Sequence, residues 1–234
     1  PEQSVKTARA ALDLAEASNH PFTVAMVYMY LAMIYVYCRD WPNVLSAATA
    51  SIGLAAEQRL PQVQTLSCIM HGRALIEAED FEQGIPEIEQ GIARNRAIDV
   101  RVADPWKLTL LAECYLATNR IDEGLGLLAE ALEFADRTGE VYHLPELHRL
   151  KGELLLRQDA VAAERCFHDA IEISRRQDSL ALVLRAATSL ARLWQSQGKT
   201  TEARDLLSPV YGWFTEGFDT PDLQDAKALL DELS

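Results

Sequence analysis

The sequence predicts an all-α fold: a right-handed superhelical solenoid of stacked helix pairs. Two observations carry this. Alanine and leucine dominate, β-branched runs are scarce, and Gly and Pro occur singly at intervals, the profile of a helical protein. Small residues also recur in register. Ala32, Gly72, Ala112, Gly152 and Ala191 are separated by 40, 40, 40 and 39 residues. A second series, Val44, Gly84, Gly124, Ala163 and Ala203, is separated by 40, 40, 39 and 40. Seven residues beyond these lie Ser51, Gly91, Ala131, Ala170 and Val210, and three residues beyond the first series lie Tyr35, Leu75, Tyr115, Leu155 and Trp194. Small residues let two helix backbones approach, and the large ones fill the space between. Such a pair cannot bury its apolar faces alone, so copies must stack on one another.

Residues 105–138 are the reference copy, with Ala112, Gly124 and Ala131 as close-approach points and Leu111 and Tyr115 as filler. In chain order, residues 2–17 make one amphipathic helix ending at Ser18-Asn19. It reads as the second helix of a repeat whose first helix is missing. The chain also starts in mid-pattern without an initiator Met, as a piece of a larger protein would. Pro21 opens a helix to about Cys38, Pro42 one to about Arg59, and Pro61 one to Glu79. Asp80 caps a helix through about Ala97, and a loop from Ile98 to Asp104 leads to Pro105. Pro145 opens a helix ending near Gln158, and residues 160–177 are its partner. Ser179 caps a helix to Gln197, Gly198 ends it, and Thr200 or Thr201 caps the next. Pro at the start and Gly or polar residues at the end is the usual asymmetry of helix termini. Pro86 and Pro209 each remove a helical hydrogen bond and should delay or kink their helices. From Pro221 a terminal helix carries Asp222, Gln224, Asp225, Lys227, Asp231 and Glu232 as the polar outer side of an end cap. The expected organisation is a half-repeat at 1–19, five helix-pair repeats over 20–219, and a capping helix at 220–234.

The formal net charge is −13 and the pI about 4.8. Such a surface repels phosphate backbones and anionic lipid, so nucleic acid and membrane are not expected partners, and a protein or peptide is. Residues 22–38 are almost wholly apolar. The run is shorter than the roughly 20 residues of a membrane span, carries tyrosine hydroxyls, and lies in register, so it reads as a repeat helix. Cys38, Cys68, Cys114 and Cys166 form no C-x-x-C pair and read as buried reduced thiols of a cytoplasmic protein.

A small residue, an aromatic or Leu three positions on, and small residues twelve and nineteen positions on resemble a tetratricopeptide repeat (TPR). The period is longer than that family's usual one and resembles the elongated repeats of signalling ATPases. Towards the end of the chain, residues 146–156, Ala186 to Trp194 and Val210 to Leu223 resemble the C-terminal repeats of bacterial multidomain adenylate/guanylate cyclase-like proteins and predicted ATPases. The resemblance covers most of the chain, most specifically residues 143–233. It implies a regulatory or scaffolding segment of a larger signalling protein and carries no catalytic residue onto this chain.

No constellation for chemistry emerges. Gly198-Lys199-Thr200 imitates the end of a phosphate-binding loop, but Leu193 stands where that motif needs glycine, and a helix rather than a strand precedes it. His20, His71, His143, His148 and His168 include no zinc-protease pair. His71 reads as a hydrogen-bonded core residue, and the carboxylates read as solvated helix faces. No cofactor, metal or nucleophile is expected. A concave groove lined by the first helices is expected instead, with candidates Met29, Met33, Ile69, Arg73, Thr109, Glu113, Arg149, Glu153, Thr188 and Arg192. Methionines adapt to varied apolar partners, and arginine binds carboxylates in bidentate fashion. The plainer alternatives are that the methionines pack beneath a missing N-terminal part and that the Arg/Glu ladder forms salt bridges between adjacent helices. The leading expectation is a non-catalytic interaction module whose partner is a protein, a peptide or another domain of the parent chain. The alternatives are a sensor holding a small molecule or peptide in its groove, and a self-association module using Tyr28, Tyr30 and Tyr37.

Overall fold

A computed structural model describes residues 2–101 and 103–234, which form twelve α-helices and no strand. They are α1 (Glu2–Ala17), α2 (Pro21–Cys38), α3 (Trp41–Glu57), α4 (Pro61–Glu77), α5 (Phe81–Ala97), α6 (Asp104–Ala117), α7 (Ile121–Thr138), α8 (Leu144–Leu155), α9 (Ala160–Arg176), α10 (Leu180–Ser196), α11 (Thr200–Tyr211) and α12 (Pro221–Glu232). The chain divides into two compact units, one up to Ala103 and one from Asp104 onward.

In the first unit each helix packs on the next, and α2 also packs on α4. The small residues sit at the closest approaches. A Cβ added to Gly72 of α4 would lie 2.7 Å from the Gly84 carbonyl of α5, and one added to Gly91 would lie 2.5 Å from the Ile69 side chain. Ser51 of α3 ties three helices together: its hydroxyl donates to Ala25 O at 3.0 Å and accepts from the Ser67 hydroxyl at 2.8 Å.

The second unit repeats the plan. Consecutive helices pack, and α6, α8, α10 and α12 form a further row in which each touches the one before. Gly152 of α8 leaves room for the fully buried Phe167 ring of α9, and Gly124 of α7 for Leu154 of α8. The last core is closed by Leu223, Ala226 and Leu229 of the terminal helix and by Leu233 just beyond it.

The turns are as regular as the helices. A left-handed residue falls every 20 residues: Asn19, Arg39, Arg59, Glu79, Asp99, Asn119 and Gly139, and again at Asp178 and Gly198. After most of these the next N–H reaches back five residues, as from Asp40 to Tyr35 O, Leu60 to Ala55 O, Asp80 to Leu75 O, Arg120 to Tyr115 O and Lys199 to Trp194 O. This closure satisfies a helix-end carbonyl and reverses the chain. The α8–α9 turn differs. It has no left-handed residue, and Asp159 N–H reaches back only to Leu155 O. The hydrogen-bonded closure there is one residue shorter, so Gly152 and Ala163 stand eleven residues apart where the other pairs stand twelve apart, which is the physical origin of the single 39-residue step in each small-residue series.

Local expectations are corrected at several ends. Asp104 is the first residue of α6 rather than loop, and α8 stops at Leu155, short of Gln158. Asp80 caps α5 by accepting from Gln83 N at 3.1 Å, but Ser179 makes no capping bond, and Lys199 rather than a threonine holds the cap position of α11. Pro86 lies inside α5 without delaying its start at Phe81. The proline leaves only the Glu82 carbonyl without its helical donor. Asp222 does not join the polar outer side: it is half-buried and faces Arg185.

Candidate interaction surface

The ten groove candidates occupy two register positions, which the structure separates. Of the five residues three before the small position, all but the half-buried Arg149 turn inward. Met29, Ile69, Thr109 and Thr188 are buried, and the two threonines donate to carbonyls of their own helices, Trp106 O at 2.6 Å and Leu184 O at 2.8 Å. These four therefore present no side chain to a partner, contrary to the groove expectation. Residues three before and one after lie four apart on one helix face, so register alone does not tell the buried position from the open one. Residues one after the small position stand nearer the open edge: Met33, Glu113 and Glu153 are half-buried and Arg192 is exposed. Arg73 is the exception there, buried with its guanidinium 4.2 Å above the Trp41 ring and Nη1 2.8 Å from Glu77 Oε1.

In the second unit three candidates come together with Glu146, Arg185 and Ser189, which were not singled out, and with Asp222, which had been assigned to the end cap. Arg149 of α8 donates from Nε to both Glu146 carboxylate oxygens, at 3.0 and 3.1 Å, and its Nη1 lies 3.4 Å from Glu153 Oε1. Its Nη2 is 3.8 Å from Glu113 of α6. Arg185 of α10 reaches the same carboxylates, Glu146 at 3.1 Å and Glu113 at 3.5 Å, and also Asp222 of α12 at 3.7 Å. Ser189 of α10 donates to Glu153. Two guanidinium groups thus serve four carboxylates along the row α6, α8, α10 and α12. Burial alone would lower the Arg149 pKa, but Glu146, Glu153 and Glu113 outweigh it and raise it, so the residue stays charged. Glu146 and Arg185 share one register position, six residues before the small one. Glu146 also lies three residues before Arg149, the spacing that places two side chains on one helix face.

Other sequence signals resolve as structure. Gly198 and Lys199 give their N–H groups to Gln195 O and Trp194 O, so this turn cannot cradle a phosphate as a binding loop does. His71 Nδ1 lies 2.8 Å from Glu87 Oε2 and is half-buried. Among the described residues no group of three or more His, Cys, Asp or Glu side chains could hold a metal ion. The cysteines are free thiols. Cys114 and Cys166 are buried as expected, whereas Cys38 and Cys68 are only half-buried, and burial pushes the Cys68 thiol up to about 11. A cleft of about 500 Å³ opens between Val141, the start of α8 and the end of α9. It is lined in part by Leu144, His148, Ile173 and Gln177. Gln177 Nε2 donates to Val141 O at 2.7 Å; its buried Oε1 and the buried His148 Nδ1 accept or donate no hydrogen bond, and His148 Nδ1 lies 3.7 Å from Asp169 Oδ2.

No protein-family model matches the chain. An uncharacterized protein of Rhizobium meliloti is 26% identical over 162 residues, which make up 67% of this chain but only 16% of that protein. Among solved structures, aspartyl phosphate phosphatase F from Bacillus subtilis matches 94% of this chain and 56% of its own, with a TM-score of 0.67 and 15% identity. The apo form of RapI matches 98% and 77%, with a TM-score of 0.69 and 12% identity. The nearly identical TPR-like repeats of a kinesin light chain from Podosopora anserina match 92% and 98%, with a TM-score of 0.52 and 16% identity. The fold is a TPR-like helical repeat. In TPR terms α2, α4, α6, α8 and α10 are first helices, and the Arg149–Arg185 cluster lies along their row in the second unit.

Proposed function

We propose that this chain is a non-catalytic TPR-like interaction and regulatory module of a larger cytoplasmic signalling protein, cyclase-like or ATPase, and that it holds a basic peptide segment or another domain of its parent. The observation that carries this reading is the row of first helices in the second unit. It brings Glu113, Glu146, Glu153 and Asp222 together with Arg149 and Arg185 on a half-buried face. The chain's formal net charge of −13 favours a cationic partner and disfavours nucleic acid. The resemblance of residues 143–233 to cyclase-associated repeats supports the parent assignment. So does the relative in which the matched region is 16% of the length.

The test is titration calorimetry of this chain with the separately produced upstream part of the parent. The reading expects binding that weakens at least tenfold in Glu153→Lys, with the helical circular dichroism unchanged. Binding that ignores this substitution removes the row from consideration. Arg73→Glu is unsuitable as a binding probe, because Arg73 is buried on Trp41. A second reading, a ligand sensor, is favoured by the cleft at His148 and Gln177. A thermal-shift screen tests it, because a ligand at 100 times its Kd adds about 2.7 kcal/mol.

A further inference from the structure

In every repeat where a first helix is preceded by another packed alongside, the residue two before its small position is buried. Met70 of α4 is 0% exposed with α2 beside it, Leu150 of α8 is 1% with α6 beside it, and Ser189 of α10 is 5% with α8 beside it. The matching residue of α2 is Tyr30, and it is 49% exposed. Tyr30 is the centre of an apolar stripe, Phe22, Met26, Tyr30, Met33 and Tyr37, whose spacing of four, four, three and four residues keeps it on one helix face. None of the five is buried.

The adjoining helix is open in the same way. In register, Ser4, Ala8 and Ala11 of α1 match Ser51, Ala163, Ala170, Ala203, Ile88, Leu128 and Phe167 of later second helices, all of them fully buried. Yet Ser4 and Ala11 are exposed and Ala8 is only half-buried. These three also share one face. α1 and α2 pack together, held by Arg9 Nε donating to Tyr35 OH at 2.9 Å and Tyr28 OH donating to Glu16 at 2.9 Å. A small-residue face and an apolar stripe therefore border one slot.

We infer that this slot is the seat of a further first helix, supplied by the chain segment immediately upstream of α1 in the parent. This rests on the reading that the chain is a module of a longer protein. The occupant's chemistry follows from the repeat. It is an amphipathic helix of about the 17 residues seen in α4, with a small residue against Ser4 as Gly72 stands against Gly84. It enters α1 through the same short reversal that joins α4 to α5. Its apolar face covers Tyr30 and Met26. The apolar character of α2 is then that of a helix buried on two sides, not of a membrane span.

The test compares the present chain with the same chain carrying the next forty upstream residues of its parent, each with Ala11→Leu and with Tyr30→Asp. In the longer chain both substitutions lower the melting temperature by roughly 3–8 °C, through overpacking and a buried carboxylate. In the present chain they shift it by no more than about 1 °C, since both positions are open. The two lengths responding alike overturns the inference. So does light scattering that finds a dimer of the longer chain dissolved by Tyr30→Asp, or co-flotation of the longer chain with phosphatidylglycerol vesicles. None of these readouts involves a partner, so they stand or fall apart from the binding test above.

Discussion

Gly72 and Gly84 bring α4 and α5 together backbone to backbone: a Cβ on Gly84 would lie 2.6 Å from the Gly72 carbonyl oxygen, and one on Gly72 would lie 2.7 Å from that of Gly84. A carbonyl cannot swing aside as a side-chain tip can, so the helices must part. Gly72→Ala and Gly84→Ala should each destabilise the protein by about 1–3 kcal/mol. Gly53 and Gly126 are helical too, but nothing lies within 4 Å of a Cβ placed on them. Gly53→Ala and Gly126→Ala should instead stabilise by about 0.5–1 kcal/mol through helix propensity. Urea unfolding of the four variants checks both signs, and a stability gain in Gly84→Ala would refute the register.

The Arg149 side chain is only 12% exposed and is shared by three carboxylates. Arg149→Ala leaves Glu146 and Glu153 facing each other, and a loss of about 3 kcal/mol is expected. Arg149→Met combined with Glu146→Leu removes charge and countercharge together and should recover most of that loss. A double-mutant cycle read by urea midpoints measures the coupling.

Acid should act partly through His143. Burial lowers its pKa from 6.5 to about 4, against a smaller opposing effect of Glu146. Between those two values the unfolded chain binds a proton that the folded chain does not, so stability falls as pH drops from about 6.5 to about 4. His148, also lowered by burial, acts in the same direction. In His143→Asn the pH slope over this window should flatten while stability at pH 8 changes little. An unaltered slope would mean that His143 is not shielded.

Gly198 ends α10 with φ of +77°, and a Cβ there meets nothing within 4 Å. Gly198→Ala should therefore cost about 1 kcal/mol from backbone conformation alone. Asp178, with φ of 53°, already bears that strain, so Asp178→Gly should be neutral or slightly stabilising. Melting curves of the pair test this.

The helices and their register were legible because the pattern that encodes them is periodic and local. A small residue at Gly72 or Gly152 can be read without knowing what faces it. The groove was less legible. Periodicity placed Ile69 and Thr109 on first helices, but which side of such a helix stays open depends on how neighbouring first helices converge. The charged cluster was seen in part: Glu113, Arg149 and Glu153 were found from two register positions, and Glu146 and Arg185 were missed at a third. Ser179 had the residue type of a cap without the side-chain bond, since capping depends on a rotamer the sequence does not specify.

The twenty-residue spacing of the left-handed turns means that no helix depends on a distant part of the chain for its length or exit direction. Contacts stay local, which favours fast folding from several starting points and gradual rather than all-or-none unfolding. It also defines the length changes the protein tolerates. Gain or loss of one complete repeat leaves each remaining helix with the neighbours it already fits, whereas a change of ten residues strands an apolar face in water. Evolution can thus resize this scaffold in whole repeats, as the one-residue shortening after α8, absorbed within its own turn, illustrates at the smallest scale.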